Sequence, residues 1–202
     1  FATTMWLYIV ALAIGFFLGL LLAVSRQYGG WFFSRIATAY IELLRGTPLL
    51  VQTYLIFFFP YSFNAVLLAQ GLPPLAVGWA VKVNLFGRTV TILNHRILSA
   101  FAVLGLNSAA YQAEYFRGAI ASVSAGQLLA GRALGMGKLR SIGSVVLPQA
   151  LRRVIPAWSN EAVYLPVYTV VVYFIGVEDL FAKAHLIVTR TFLPLMTYVL
   201  IA

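Results

Sequence analysis

Carboxylate, imidazole and thiol groups, the usual means of catalysis and metal binding, number five, two and none in 202 residues. The acids are Glu42, Glu114, Glu161, Glu178 and Asp179, and the histidines, His95 and His185, stand far apart with no ligand-like spacing. Metal catalysis and a nucleophile–base triad have nothing to be built from, so no catalytic, metal-binding or cofactor-binding residue is expected. The missing cysteines exclude disulfides and thiolate metal sites. The run GRALGMGK sets glycines ahead of a lysine as a phosphate-binding loop does. Gly131, however, is one residue too far from Gly137, and Lys138 is followed by Leu139 where Ser or Thr would hold a cation. ATP is not expected to bind through it.

What remains is a set of polar residues embedded in apolar sequence. Pro156 and Pro166 bracket Asn160, Glu161 and Tyr164, and prolines in an apolar helix free carbonyls that need protein, water or ligand partners. A carboxylate in such a helix is costly and needs a cation or a water-filled cavity. Glu161 therefore either pairs with an arginine of the bundle or holds a positively charged ligand group in a polar cavity. Glu114 and Arg117, three apart, are set to pair with each other. Thr47, Gln52, Asn107 and Tyr111 are further polar positions in apolar runs, serving either helix–helix hydrogen bonds or a ligand path.

The elements that must position these residues follow from composition. With 62% hydrophobic residues, 9% charged and a mean hydropathy of +0.92, the chain is far more apolar than soluble domains, which are roughly 45–50% apolar and about 25% charged. The sequence predicts one all-α polytopic membrane domain over 1–202 with about five transmembrane helices, at about 4–25, 47–63, 97–115, 154–177 and 186–202. Residues 1–25 carry no charge, and Gly15 and Gly19 have the GxxxG spacing of a close helix contact, which small residues in a membrane helix also show by chance. Pro60, Pro73 and Pro74 forbid a single helix from 46 to 81. The stretch 64–96, with its β-favouring run RTVTIL, fits an extracytoplasmic loop or a re-entrant element.

The net charge of +9 would in a soluble protein point to nucleic acid, but topology accounts for it better. Arg26, Arg35 and Arg45 fall after the first span, and Arg117, Arg132, Lys138, Arg140, Arg152 and Arg153 fall between the third and fourth, a stretch without any acid. Short basic loops stay in the cytoplasm. The expected orientation places the N-terminus outside and the loop 117–153 inside, in a multi-pass protein of the cytoplasmic membrane surrounded by lipid, with no signal peptide evident and no nucleic acid partner.

Within that loop, Ser124 followed by Gln127 forms a capping-box pattern that starts a short helix. Ala130, Gly131 and Ala133 give it a small-residue face, and Gly135 and Gly137 end it. Such a helix either lies on lipid headgroups or serves as a contact for another protein. The run EYFRGAIASVSAGQLLAGRALGMGKLRSIGSVVLPQALRRVIPAWSNE resembles the signature region of ABC importer permeases of the polar amino acid class. YIELLRGTPLLVQ, LGLNSAAYQAEYFRG and YFIGVEDLF resemble further segments of that class, and the resemblance covers most of the chain.

The resemblance implies a type I ABC importer permease fold and a membrane-spanning permease subunit that translocates polar amino acids. Glu161 fits either a cationic side chain or the α-ammonium group common to every amino acid. It implies two ATPase subunits that hydrolyse ATP elsewhere, a second permease chain, identical or homologous, and an extracytoplasmic binding protein that delivers the amino acid substrate. The coupling segment would be Ser124, Gly126, Gln127, Ala130, Gly131, Ala133, Leu134 and Gly135. The substrate pathway would draw on Glu161, Asn160, Tyr164, Tyr168, Thr47, Gln52, Asn107 and Tyr111. Two departures from the pattern stand out. The Glu-Ala-Ala of relatives reads Leu129, Ala130, Gly131 here, and after Glu161 the chain has Val167, Tyr168, Thr169 and Val170 where relatives carry a polar pair before a Thr-Ser or Ser-Ser step. The alternative by function class is an ion-coupled secondary amino acid transporter or channel, which also uses polar residues in broken helices, though no inverted repeat is visible.

Overall fold

The computed structural model describes residues 1–85 and 88–201. Phe86 and Gly87, in the undecided stretch before Arg96, and Ala202, at the end of the expected fifth span, lie outside the described residues. The order of elements is α1 (Ala2–Tyr28), α2 (Gly30–Gly46), α3 (Leu49–Ala69), β1 (Ala80–Leu85), β2 (Arg88–Asn94), α4 (His95–Ala121), α5 (Ala125–Ala133) and α6 (Lys138–Ser141). A π turn over Ile142–Val146 leads into α7 (Leu147–Tyr168), a 3-10 helix (Thr169–Ile175), α8 (Leu180–Thr191) and α9 (Pro194–Ile201).

Several expected boundaries move. The polar stretch carrying Arg35 and Arg45 is helix α2, whose Phe32, Ile36 and Leu43 are exposed while Ala37 and Ile41 are buried. Apolar side chains thus occupy an exposed face of α2 as well as its buried one. Helix α3 continues through Pro60 to Ala69. A proline removes one N–H and leaves the rest of the ladder available, and the helix stops instead at Gly71 (φ 70°), where Gly71 N–H and Leu72 N–H bond back to Leu68 O and Leu67 O. This is a glycine-dependent C-terminal lock. RTVTIL lies in an antiparallel hairpin, β1 against β2, with Ala80 opposite Asn94 and a register irregularity at Val81/Lys82.

The fourth expected span is not broken around Glu161. Helix α7 runs through Pro156 and Pro166 to Tyr168, tightens to 3-10 geometry, and ends at Gly176 (φ 75°). Pro166 lacks only the N–H that would bond back to Ala162 O, and the helix continues past it. The fifth is broken: Phe192 takes a left-handed conformation (φ 55°), and Pro194 disfavours helix at the residue before it, so α8 and α9 are separate.

By length and hydropathy, α1 and α3 are long and apolar enough to cross a membrane, and the run Lys138–Ile175 with α8 qualifies as a bent pair. Helix α4 is also 27 residues long but carries Asn107, Ser108 and Gln112, all buried inside the protein. Polar residues turned inward lower hydropathy without touching lipid.

The chain divides into two compact units. The first (1–11, 47–105 and 165–202) holds α3, the hairpin, the 3-10 helix, α8 and α9, with α3 and α8 packed on the 3-10 helix. Trp6 meets Phe101 edge to face, and Tyr173, Phe181, His185 and Tyr198 form an aromatic cluster. Asp179, the single Asp, caps α8 by accepting from Ala182 N–H at 2.8 Å, and His95 bonds to Phe57 O at 3.0 Å. Both groups thus serve local structure.

The second unit (12–46 and 106–164) holds α2, α5, α6 and the adjoining parts of α1, α4 and α7. Its core joins Ala23, Phe116, Ile120, Val123, Val146, Ala150 and Val154, with Phe16, Leu20 and Trp158 against them. Here Gly15 and Gly19 do form a close contact. A Cβ on Gly15 would overlap the Gln112 amide and lie 2.8 Å from Ser108 Oγ, and one on Gly19 would lie 3.0 Å from Ala109 O. In lipid, where helices associate through close packing, such glycines let two backbones meet.

Candidate functional site

In the second unit, Glu161 on α7 is buried, 3% exposed. Its partner is the hydroxyl of Ser108 on α4, which donates to the carboxylate at 2.6 Å. Gln112, one turn along α4, donates to Ser108 Oγ at 3.0 Å and accepts from Trp158 Nε1 at 2.7 Å. The result is a polar chain Glu161–Ser108–Gln112–Trp158 between two facing helices. Among the described residues no arginine or lysine pairs with Glu161. A buried carboxylate with a hydroxyl for a partner retains acceptor capacity for a cation or an ammonium group.

Two arginines go to Glu114, which is clamped by Arg26 from α1 and by Arg117, whose Nη2 donates at 2.8 Å. The expected Glu114–Arg117 pair is present with a second cation added.

Other expected pathway residues are placed differently. Asn107 and Tyr111 face the C-terminal end of α2: Asn107 Nδ2 donates to Leu44 O at 3.3 Å, and the Arg45 guanidinium lies 5.2 Å from the Tyr111 ring centre. Asn160 and Tyr164 are exposed on α7. In the first unit, buried Gln52 donates to Thr47 Oγ1 at 2.8 Å and Thr47 O at 3.0 Å. It thereby serves the start of α3, whose Pro48 cap offers no side-chain bond. Tyr168 is the last residue of α7, half-buried.

Ser108, Gln112 and Trp158 were not singled out from sequence. Ser108 and Gln112 are i and i+4 on α4, and Asn107 and Tyr111 form the neighbouring i, i+4 stripe. Two polar stripes side by side carry the signal, and only knowledge of what α7 presents chooses between them.

The segment after Ser122 folds as a built element. Ser124 caps α5 by accepting from Gly126 N–H at 3.3 Å. The reciprocal half of the capping box is absent, because Gln127 Oε1 accepts from Gln149 instead, at 3.3 Å. Gly135 (φ 82°) ends α5, with Gly135 N–H on Arg132 O and Met136 N–H on Gly131 O. Inward-facing Gly131 lies against Ser141, where a Cβ would come 3.0 Å from Ser141 Oγ. Gly126, Gln127, Ala130, Ala133 and Leu134 are exposed. The GRALGMGK run is thus the locked end of α5 and the start of α6.

Residues 15–202 match the family described as binding-protein-dependent transport system inner membrane component. The chain belongs to that family. Among the inner membrane components it resembles, the glutamine transport system permease protein GlnP of Escherichia coli (strain K12) is 32% identical over 94% of this chain and 75% of its own length. The nopaline transport system permease protein NocM of Agrobacterium fabrum is 32% identical over 98% of this chain and 75% of its own length. The crystal structure of an amino acid ABC transporter with histidines superposes with a TM-score of 0.71 at 29% identity, covering all of this chain and 81% of that one. The chain is thus an inner membrane component with a predominantly helical permease fold.

Proposed function

We propose that this chain is the permease subunit of an ATP-driven importer of polar amino acids, with Glu161 in the substrate path and α5 as the coupling element. In this reading the segment from Ser124 to Gly135, which contains α5, docks on a separate ATPase subunit. A second permease chain completes the path, a binding protein delivers the amino acid on the outside, and the N-terminus lies on that side. The observation that carries the substrate assignment is the buried Glu161 carboxylate, held by a neutral hydroxyl and, among the described residues, by no cation. An ammonium group supplies the missing charge, and charge-assisted bonds to a buried carboxylate are the strong kind. The likeness to permeases named for glutamine and nopaline transport supports an amino acid.

The test is uptake by purified, reconstituted complex carrying Glu161→Gln, across cationic and neutral amino acids, normalised to assembled protein. The expected result is intact assembly and basal ATPase activity with uptake affinity weakened about tenfold or more, most for cationic substrates. Unchanged affinity and selectivity across the panel would remove Glu161 from the path.

A further inference from the structure

Helix α5 turns an uncharged, apolar ridge away from the protein. Gly131 is buried against Ser141, and Leu128 packs on the core of its unit. The opposite side carries Gly126, Leu129, Ala130 and Ala133 at helical spacing, and all four are exposed. Leu129 is 63% exposed and Leu134, at the helix end, 80%. Three small residues and one leucine make a smooth ridge with a single knob.

The surroundings are cationic. The stretch 117–153 has six basic side chains and no carboxylate. Three of the six are engaged: Arg117 with Glu114, Lys138 with Tyr28 O, and Arg153 with Ser122 O. Arg132, within the run that carries the ridge, and Arg140, beyond its end, are exposed. A surface of this kind is complemented by an apolar floor with carboxylates at its edge, since a cation facing the rim would be repelled and a polar group facing Leu129 would lose its water without gaining a partner.

We propose that Leu129 is an apolar anchor, and that the ATPase subunit serving this chain presents an apolar pocket to Leu129 with a rim of carboxylates facing Arg132 and Arg140. This rests on the docking of α5 proposed above and adds the chemistry of the partner's groove. An ATPase whose groove offers a cation at that place is a poor match for this chain. Leu129 thereby selects the partner, since specificity comes from repulsion of wrong partners as much as from attraction of the right one.

The experiment uses the assembled transporter, purified in detergent with its own ATPase subunit, and reads the dissociation constant of the ATPase from the permease. Leu129→Glu is expected to weaken binding about a hundredfold, which corresponds to about 2.7 kcal/mol. Leu129→Met is expected to bind like wild type, and Arg132→Glu with Arg140→Glu to weaken it about tenfold. Gly126→Trp is the control for docking itself. If Leu129→Glu binds normally while Gly126→Trp does not, the anchor is overturned and the docking stands. If neither weakens binding, the docking falls and the anchor with it.

A second measurement covers a variant that fails to assemble for other reasons. The chain has no cysteine, so Leu129→Cys carries a single environment-sensitive fluorophore in nanodiscs. The anchor requires a blue shift on adding the ATPase subunit. No shift, or quenching by nitroxide-labelled lipid that the ATPase leaves unchanged, identifies the bilayer as the occupant and overturns the proposal.

Discussion

At the scale of the residue, the network around Glu161 joins a buried carboxyl group to neutral partners. Ser108 donates to the carboxylate, and Gln112 is held between Ser108 and the Trp158 indole, so each member fixes the next one's orientation. Removing one donor from a buried carboxylate leaves acceptor capacity unsatisfied, at a cost of about 1–3 kcal/mol. Ser108→Ala is therefore expected to lower the thermal unfolding midpoint of the purified permease and to reduce uptake together. A Ser108→Ala protein with wild-type stability would show that the hydroxyl contributes nothing to holding Glu161. The sequence marked Glu161 because a lone carboxylate in apolar sequence stands out chemically. It did not mark Ser108 or Gln112, because serine and glutamine in a membrane helix are ordinary until the facing helix is known.

At the scale of the element, two glycine devices set local geometry. Gly19 lets α1 approach the backbone of α4: a Cβ there would meet Ala109 O at 3.0 Å and Ala113 N at 3.1 Å. Backbone atoms in a helix cannot step aside, so Gly19→Val is expected to destabilise the permease by about 1–3 kcal/mol, read as a lower unfolding midpoint in detergent. A stable Gly19→Val protein would contradict the close contact. Gly135, at φ 82°, occupies a conformation that costs other residues about 1–2 kcal/mol. Gly135→Val is expected to fray the end of α5 and loosen the α5–α6 turn, seen as faster amide exchange from Arg132 to Lys138, and unchanged exchange would deny the lock. These devices were readable from spacing: GxxxG in α1, and glycines after a capped small-residue run. The continuity of α3 through Pro60 and of α7 through Pro156 was not readable. A proline forbids one hydrogen bond, and whether the helix resumes depends on packing rather than on the local sequence.

At the scale of the whole molecule, composition and the distribution of basic residues made the membrane class legible. The motif run through the loop and α7 made the family legible, and the match over residues 15–202 agrees. The number of spans was less so. Polar positions in α4 and α7 that face inward reduce the hydropathy by which a span is recognised, while α1 and α3 keep the full signal. The proposed orientation rests on the basic loops and has a simple check. With no native cysteine to interfere, Ser124→Cys in intact cells is expected to resist impermeant thiol reagents applied from outside and to react once the membrane is opened. Rapid labelling from outside would invert the topology.

The measurement that tests the account most directly is uptake into vesicles carrying the assembled transporter and its binding protein, with energy supplied in one form at a time. The account predicts that a polar amino acid accumulates when ATP is present on the ATPase side, and that collapse of proton and sodium gradients leaves the rate unchanged. Accumulation that needs no ATP and follows an imposed ion gradient would contradict it.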